Sequence, residues 1–340
     1  MGVNRWLINK VKHINKDRLN KHIEIIAKEN NKSKAYIKFD ILKNFIINGS
    51  GYTDYFRGNY INLTKEEKKY FFTAKKFYKF LSYMNDSRYQ IILNDKLVFN
   101  KYFSKYIKRD WLNLRTATLD EFKKFTKNKN IIFAKEVHGE GGHGISKINL
   151  KEVEIEKLYQ KLIKNKQFLV EDEIKQSNEL NEINPSVVNS FRIVTIYKDG
   201  KVYLVNNALR VNQGNNDVIG CTDDVYFSLN EEGKIISNVI DDYGNIYLKH
   251  PLTNKLFSEV KIPHVKEAFE LVKKLHLEIP MVRYIGWDIA FTNDGPELVE
   301  GNEYPGYGLF QHYKLYNDKL TGHLKEVSMI LKDEMKNIDL

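Results

Sequence analysis

The sequence predicts an α+β fold, and three features of its apolar pattern support that prediction. The first 130 residues space their apolar side chains mainly as helices do. From residue 131 onward, short β-branched and aromatic runs come in pairs that are separated by turn residues, which is typical of antiparallel hairpins. No series of alternating strand and helix patterns is seen, which argues against a doubly wound parallel sheet.

The length and composition indicate a folded globular protein. The 340 residues, 42% hydrophobic and 13% aromatic, suffice for a sizeable core and suggest two or three structural units. The single cysteine, Cys221, excludes a disulfide framework and a cysteine-based zinc site. No run approaches the roughly 18 apolar residues that span a bilayer, and no secretory signal is recognisable. We therefore expect a cytoplasmic protein, either free or at the inner face of the membrane.

The net charge of +10 is divided unevenly along the chain. Residues 1–135 contain 30 Lys and Arg against 12 Asp and Glu, whereas residues 136–340 contain 24 against 32. The basic half would attract phosphates, anionic polysaccharide, nucleic acid or an acidic membrane surface, and the acidic half would supply metal-binding carboxylates. A general bias toward Lys, Asn and Ile is the alternative explanation. No nucleic-acid-binding motif is present, so nucleic acid is not an expected partner.

Residues 1–90 are predicted to form a helical, basic N-terminal region. The first 30 residues have the pattern of a basic amphipathic helix, which would either dock on the body of the protein or contact an acidic membrane. Thr64 and Glu67 form a predicted capping box that opens the next helix. That helix carries a stripe of apolar side chains, which we interpret as core: Phe71, Phe72, Phe77, Phe80, Leu81 and Met84.

Three hairpins are predicted after residue 130. Their strands are 131–134 with 145–148, 191–198 with 201–210, and 286–291 with 297–300. The second hairpin turns at Asp199 and Gly200, a two-residue sequence suited to a tight turn. Helices are expected over about 152–165 and over 265–275. Residues 91–165 and 166–340 are expected to form two further units.

The last hairpin carries the strongest chemical signal. Asp288 lies in its first strand, and Glu300 and Asn302 lie at the end of the second, so the three side chains can converge on one point. Oxygen ligands of this hard type suit Mg²⁺, which prefers one or two carboxylates together with waters and substrate phosphates. The alternative is a pair of solvated acids beside a plain turn.

A glycine-rich loop follows Lys135 at the end of a predicted strand. Its glycines would let backbone N–H groups approach phosphate oxygens, and the lysine would add a positive charge. They are Gly139, Gly141, Gly142 and Gly144. The alternative is an ordinary hairpin tip, in which His143 is an exposed bystander rather than a phosphate ligand.

Residues 300–306 read Glu-Gly-Asn-Glu-Tyr-Pro-Gly and match the E-x-N-x-x-P-G metal-ligand motif of ATP-grasp ligases. Four further segments, around Lys96, Lys135, Glu171 and Arg192, follow the order of that family's motifs within residues 94–308. The residues in these motifs most resemble the sugar-transfer-associated ATP-grasp branch. The resemblance implies the ATP-grasp fold, in which two α+β subdomains grip ATP between antiparallel sheets. Residues 91–165 would be the small subdomain with the glycine-rich loop, and residues 166–340 the large subdomain with the metal site.

The resemblance also implies ATP and Mg²⁺ as cofactors, with Mn²⁺ as the alternative metal, and a role for each site residue. The implied metal ligands are Asp288, Glu300 and Asn302. The implied phosphate contacts are Lys96, Lys135, Gly141, Gly142, His143 and Gly144. The implied contacts around adenosine are Glu171, Asp172 and Glu173, and the sequence leaves open whether Glu171 or Glu173 meets the ribose. Arg192 or Arg210 would contact the oxygens of the transferred phosphoryl group.

The implied activity is that of a carboxylate-amine ligase. ATP would phosphorylate a carboxylate to an acyl phosphate, and an amine would then displace the phosphate. Because this branch is associated with assembly of bacterial surface polysaccharides such as capsule, the expected product joins an amino acid or amino sugar to a carboxylate of a glycan precursor. Two alternatives stay open: a kinase that phosphorylates a sugar or lipid-linked acceptor, and a non-enzymatic basic binding module.

The sequence departs from the family pattern in two places. D-alanine-D-alanine ligase has an arginine two residues before its first metal-binding acid, where this chain has Gly286. Arg192, Arg210 or Arg283 would therefore have to supply that positive charge. The helical, aromatic pattern of residues 1–90 also differs from the compact α/β N-terminal domain of such ligases, so their amino-acid specificity cannot be carried over.

Overall fold

The computed structural model describes residues 14–139, 144–214, 224–316 and 322–338. The chain divides into two compact units. One consists of Met1–Phe80 and Tyr307–Leu340, and the other of Leu81–Gly306. The three-part division of the chain at residues 90 and 165 stays a prediction.

The secondary structure consists of helices and antiparallel strands. The α-helices are α1 (Lys16–Glu29), α2 (Lys34–Asn48), α3 (Tyr52–Arg57), α4 (Lys65–Lys68), α5 (Ala74–Met84), α6 (Ile91–Asn94), α7 (Lys96–Tyr102), α8 (Leu119–Thr126), α9 (Ile155–Lys164), α10 (Asn178–Ile183), α11 (Val265–Glu278) and α12 (His323–Leu331). The strands are β1 (Trp111–Asn113), β2 (Ile131–Lys135), β3 (Ile145–Asn149), β4 (Leu169–Asp172), β5 (Ser190–Lys198), β6 (Lys201–Asn212), β7 (Asp224–Phe227), β8 (Ile240–Asp241), β9 (Tyr284–Thr292) and β10 (Gly295–Asn302). Short 3-10 helices lie at Tyr60–Asn62, Ser104–Tyr106, Leu150–Glu152, Phe257–Glu259, Gly308–Phe310 and Lys332–Asn337.

The first unit is helical and has its own core. Asn15 caps α1 by accepting a hydrogen bond from the Arg18 backbone N–H at 2.9 Å. Ile23 and Ile26 of α1 are buried with the aromatic side chains of α3 and its neighbours. The described half of the predicted N-terminal helix therefore docks on its own unit, whereas residues 1–13 lie outside the described residues. Contact with a membrane stays a prediction.

The prediction of one helix from Thr64 through Met84 is wrong, because the chain forms two helices there. The capping box is present, since the Glu67 N–H donates to Thr64 Oγ1 at 3.2 Å and the Thr64 N–H donates to Glu67 Oε2 at 2.8 Å. However, the Gln311 side chain bonds both the N–H and the C=O of Phe72, at 3.1 and 2.8 Å. These bonds replace helical ones, so the chain leaves α4 and starts again at α5.

The second unit contains two antiparallel sheets. The small sheet has the strand order β1-β4-β2-β3 and the large sheet the order β10-β9-β5-β6-β7-β8. The three predicted hairpins are confirmed as β2 with β3, β5 with β6 and β9 with β10. Together with the flanking helices, these sheets make the fold α+β as predicted.

Each sheet buries one face under helices. The large sheet packs Phe191 and Ile193 against Ala268, Val272 and Leu275 of α11 in one apolar core. The core of the small sheet is a separate cluster that combines side chains of β2 and β4 with those of α8 and α9. The opposite faces are therefore free to line a site within this unit.

A β-bulge in β10 sets the register of the large sheet at the end of the last hairpin. Leu298 pairs with Ile289 and Glu300 pairs with Asp288, so Val299 is the extra residue between them. In a regular ladder Glu300 would lie opposite Trp287 and point to the other face. The bulge thus turns Glu300 to the face that carries Asp288.

Candidate functional site

Three charged residues form a row across the large sheet. Glu300 on β10 pairs with Asp288 on β9, and Asp288 pairs with Arg192 on β5. The Arg192 guanidinium donates to both oxygens of Asp288, with the Nη2 to Oδ2 bond at 2.7 Å, and its Nη1 donates to the Pro305 carbonyl at 2.7 Å. Both side chains are about nine-tenths buried. The sheet therefore holds a buried two-point ion pair next to a second acid.

The geometry around Gly286 accounts for the missing family arginine. A Cβ at residue 286 would lie 2.3 Å from Pro305 Cβ and 3.1 Å from Arg192 Cδ. Only glycine leaves room for both side chains at this place. Arg192 on the neighbouring strand thus brings a positive charge to Asp288, whereas a side chain at residue 286 would displace it.

The predicted metal ligands lie together. Asn302 Nδ2 is 3.3 Å from Asp288 Oδ2 and 3.4 Å from Glu300 Oε1. Burial alone would raise the pKa of Asp288, but Arg192 holds that pKa below its usual range. Burial, and then the charge of Asp288, raise the pKa of Glu300 above its usual range. The two carboxyl groups therefore accommodate one negative charge more readily than two.

The two predicted lysines come from separate elements of the second unit. Lys96 is the first residue of α7, which Asp95 caps by accepting from the N–H groups of Leu97 and Val98. Its Nζ donates to the Gly139 carbonyl at 2.5 Å. Lys135 ends β2, and its Nζ forms an ion pair with Glu171 on the adjacent strand β4.

The described part of the glycine-rich loop consists of its two ends. Gly144 has φ +73°, and its carbonyl accepts the Glu136 N–H at 2.9 Å, which closes the base of the loop. A Cβ at residue 144 would contact Glu136 at 2.8 Å, so both the backbone and the packing favour glycine. The other predicted loop contacts, Gly141, Gly142 and His143, lie outside the described residues, as does Cys221.

The three acids at the end of β4 have different surroundings. Glu171 is 2% exposed and binds Arg109, Lys135 and Asn100. Burial alone would raise the pKa of Glu171, but Arg109 and Lys135 hold it far below its usual range. Asp172 accepts from Lys129 at 2.6 Å. Within the described part of the chain, the half-buried Glu173 carboxylate has no ion-pair or hydrogen-bond partner.

One cavity of the second unit gathers most of these groups. Its volume of about 510 Å³ lies within the range of about 300–1,000 Å³ that is usual for small-molecule sites. Predicted site residues from both sheets and from the segments beside them line it: Lys96, Lys135, Gly139, Glu171, Asp172, Glu173, Asp288 and Glu300. Arg192 and Asn302 contact Asp288, which is one of these lining residues.

Among the family models, that of the sugar-transfer associated ATP-grasp proteins matches residues 75–328. The match covers more than half of the chain. This chain belongs to the sugar-transfer-associated ATP-grasp family. A search of curated protein sequences found no match.

Solved structures similar to this ATP-grasp protein include three ligases. D-alanyl-alanine synthetase A from Vibrio cholerae has 13% identity and a TM-score of 0.41, covering 73% of this chain and 65% of that one. ATP-grasp ligase PsnB complexed with minimal precursor has 14% identity and a TM-score of 0.43, covering 73% and 63%. Phosphoribosylamine-glycine ligase from Thermotoga maritima has 14% identity and a TM-score of 0.41, covering 64% and 49%. The chain thus spans less than two thirds of each of these relatives.

The other two arginines proposed to supply the charge form hydrogen bonds to groups other than Asp288. Arg210 on β6 donates from Nη2 to Asp224 at 2.6 Å, and its buried Nε has no hydrogen-bond partner among the described residues. Arg283 donates from Nε to the Tyr197 carbonyl at 3.2 Å. Of the three candidates, Arg192 is therefore the one that meets the first acid of this ATP-grasp protein directly.

Sequence reasoning missed Arg109 and Asn100, which both contact Glu171. Arg109 is 4% exposed and lies 2.6 Å from Glu171 and 3.0 Å from Glu297. Asn100 donates to Glu171 at 2.9 Å. Arg109 follows Lys105 and Lys108 in a lysine-rich stretch, so the sequence has no signal that separates it from solvated basic residues.

The described ranges contain no group of three or more His, Cys, Asp or Glu side chains that could hold a metal ion. Within the same ranges, no helix has the length and apolarity that crossing a membrane requires. The metal candidates of this ATP-grasp protein are thus two carboxylates and one amide.

Proposed function

We propose that this protein is an ATP- and Mg²⁺-dependent carboxylate-amine ligase that acts through an acyl phosphate. One observation carries the proposal: Lys96 and Lys135 line the same cavity as the paired acids Asp288 and Glu300 of the large sheet. Positive charge for phosphates and hard oxygen ligands for a cation are the two requirements of phosphoryl transfer from ATP.

The nucleotide would lie between the two sheets. Lys96 and Lys135 would contact its phosphates, each as a point charge. Glu171 is already occupied by Lys135 and Arg109, whereas the Glu173 carboxylate in the cavity has no partner among the residues that the structure describes. We therefore assign the ribose hydroxyls to Glu173 and the positioning of Lys135 to Glu171.

The chemistry of Asp288, Glu300 and Asn302 fits a divalent cation. Two carboxylates and an amide oxygen form a hard donor set, and substrate phosphates and waters would complete it. Burial, and then repulsion from Asp288, raise the pKa of Glu300, and a cation between the two acids would relieve that repulsion. Mg²⁺, or Mn²⁺ in its place, would neutralise developing charge on the phosphates. Rotation of the Asn302 amide about its terminal torsion would turn its oxygen toward the same point.

The two arginines would have separate roles. Arg192 uses three donor groups on Asp288 and Pro305, which suits it to orient Asp288 and keep it ionised. Arg210 spends Nη2 on Asp224 and retains a buried Nε without a partner in the described residues. We assign the oxygens of the transferred phosphoryl group to Arg210 because its guanidinium has more donors to spare.

In the proposed reaction a substrate carboxylate attacks the γ-phosphorus of ATP, and ADP leaves. The amine then attacks the carbonyl carbon of the acyl phosphate, and phosphate leaves. Neither step requires a covalent nucleophile from the protein. The family is described as sugar-transfer associated, which supports a sugar-linked acceptor. We propose that this carboxylate belongs to a surface-polysaccharide precursor and that the amine is an amino acid or amino sugar. The +18 charge of residues 1–135 would attract such an anionic glycan.

The test is the release of ADP and phosphate from ATP and Mg²⁺ with pooled uronic acids, alone and with pooled amines. We expect phosphate release that needs both pools and that is lost in Glu300→Gln. Glu270→Gln, an exposed acid of α11 that pairs with Lys273, is the matched control and should retain activity. ADP formed without free phosphate, with the phosphate on an acceptor, would identify a kinase instead. A wild-type protein that binds polyanions but never ATP would identify a binding module.

A further inference from the structure

Arg109 joins the two sheets of the second unit through one buried guanidinium. It lies just before β1 and is 4% exposed. Nη2 donates to Glu171 on the small sheet at 2.6 Å, and Nη1 donates to Glu297 on the large sheet at 3.0 Å. The nucleotide side and the acid side of the cavity therefore share one side chain.

On the small sheet, the guanidinium acts on Lys135 through Glu171. One oxygen of Glu171 accepts from Arg109 and from Asn100, and its other oxygen pairs with the Lys135 ammonium. A buried carboxylate stays ionised only when positive charge and donors surround it. Without Arg109, Glu171 would lose one of the donors that fix its side chain, and the Lys135 ammonium that pairs with it would be placed less precisely.

On the large sheet, the same guanidinium bonds the backbone of the β10 bulge. Nη1 donates to the Leu298 carbonyl at 2.6 Å, and Nη2 lies 3.3 Å from the Val299 carbonyl. Val299 is the extra residue of the bulge, and the bulge brings Glu300 opposite Asp288. Arg109 thus binds the backbone feature that sets the direction of Glu300.

We propose that Arg109 is a positioning residue that sets Lys135 through Glu171 and Glu300 through the β10 bulge, and so aligns both halves of the site. The inference rests on the proposed function, because it takes Lys135 as a phosphate contact and Glu300 as a metal ligand. A lysine could not replace Arg109, since its single ammonium cannot reach acceptors on two sheets as a planar fork does.

The experiment measures two affinities of the full chain and of Arg109→Lys: the Kd of ADP without metal, and the Mg²⁺ concentration that half-saturates ATP turnover. We expect Arg109→Lys to weaken each by about tenfold or more. Thr195→Val is the stability control, because it breaks a buried hydrogen bond to His276 in the core away from the cavity. It should lower Tm and leave both affinities unchanged.

A double-mutant cycle separates positioning from general damage. If Arg109 acts on the nucleotide through Lys135, adding Arg109→Lys to Lys135→Met will weaken metal-free ADP binding no further. Fully additive losses, or an Arg109→Lys protein with wild-type affinities, would overturn the inference. If Arg109→Lys does not fold, Glu297→Gln takes its place, because it perturbs the large-sheet contact alone. It should raise the Mg²⁺ concentration needed for half-saturation and leave metal-free ADP binding unchanged. Weaker ADP binding with an unchanged Mg²⁺ requirement would refute the inference. A wild-type protein that fails to bind ADP would instead refute the proposed function.

Discussion

Arg192 and Asp288 lie directly opposite each other on neighbouring strands, and their side chains form a two-point ion pair inside the large sheet. The pair couples β5 to β9, the strand that carries the first candidate metal ligand. Its burial makes each partner depend on the other, because a buried charge is costly once its hydrogen-bonded partner is removed.

Removal of Arg192 alone should therefore be costly. We expect Arg192→Met to lower the free energy of unfolding by about 3–5 kcal/mol, since it leaves the Asp288 carboxylate buried without its partner. The double variant Arg192→Met, Asp288→Leu should recover much of that loss. Urea unfolding followed by tryptophan fluorescence measures both. Equal destabilisation of the single and double variants would contradict this account of the pair.

A methyl group at Gly286 should disturb the site sterically. Gly286→Ala would place a Cβ 2.3 Å from Pro305, and we expect a cost of about 1–3 kcal/mol together with loss of ATP turnover. Gly200→Ala is the control, because its Cβ would enter open space and cost only the strain of φ +75°, roughly 1–2 kcal/mol. Thermal unfolding should thus show a similar loss of stability in both variants. ATP turnover should be lost in Gly286→Ala only. Full activity in Gly286→Ala would argue against the packing role.

Loss of the Lys96 charge should weaken nucleotide binding. Its ammonium lies in the cavity and bonds the Gly139 carbonyl at the start of the glycine-rich loop. We expect Lys96→Met to raise the Kd of ATP by about 10- to 100-fold, the effect of losing a hydrogen bond to a charged group. Lys101→Met on the exposed side of the same helix should leave the Kd unchanged. Calorimetry measures both Kd values. Equal values for the two variants would show that Lys96 does not contact the nucleotide.

Acid should destabilise the large sheet through His276. This buried histidine accepts from Thr195 at Nδ1 and donates from Nε2 to the Val282 carbonyl, and burial lowers its pKa to about 3. The unfolded chain takes up a proton near pH 6.5 but the folded chain does not, so this stability is complete above pH 6.5 and falls as pH drops toward 3.

Between pH 7 and pH 5 the loss from His276 should be about 2 kcal/mol. The variant His276→Gln lacks a titrating ring and should lose correspondingly less over the same interval. Urea unfolding at both pH values gives the difference. Identical pH dependence of the wild type and the variant would show that His276 does not carry this effect.

Local sequence patterns determined much of the fold. Each confirmed hairpin has its two strands close together in the chain, so turn residues such as Asp199 and Gly200 and the adjacent apolar runs suffice to predict it. The helix start at Asp95 and the capping box at Thr64 are also local. The family motif at residues 300–306 is also a local pattern, and it identified the candidate metal ligands Glu300 and Asn302.

Only the tertiary structure decided the features that depend on distant partners. Gln311 bonds the backbone of Phe72, 239 residues earlier in the chain, in the break between α4 and α5. Arg109 meets Glu171 and the β10 bulge across 62 and 190 residues, and no spacing in the sequence marks it. Tertiary packing also produces the bulge that brings Glu300 opposite Asp288. The same is true of the ion pair between Glu171 and Lys135. Periodicity and capping report interactions between near neighbours, whereas these contacts arise from the closure of two sheets around one cavity.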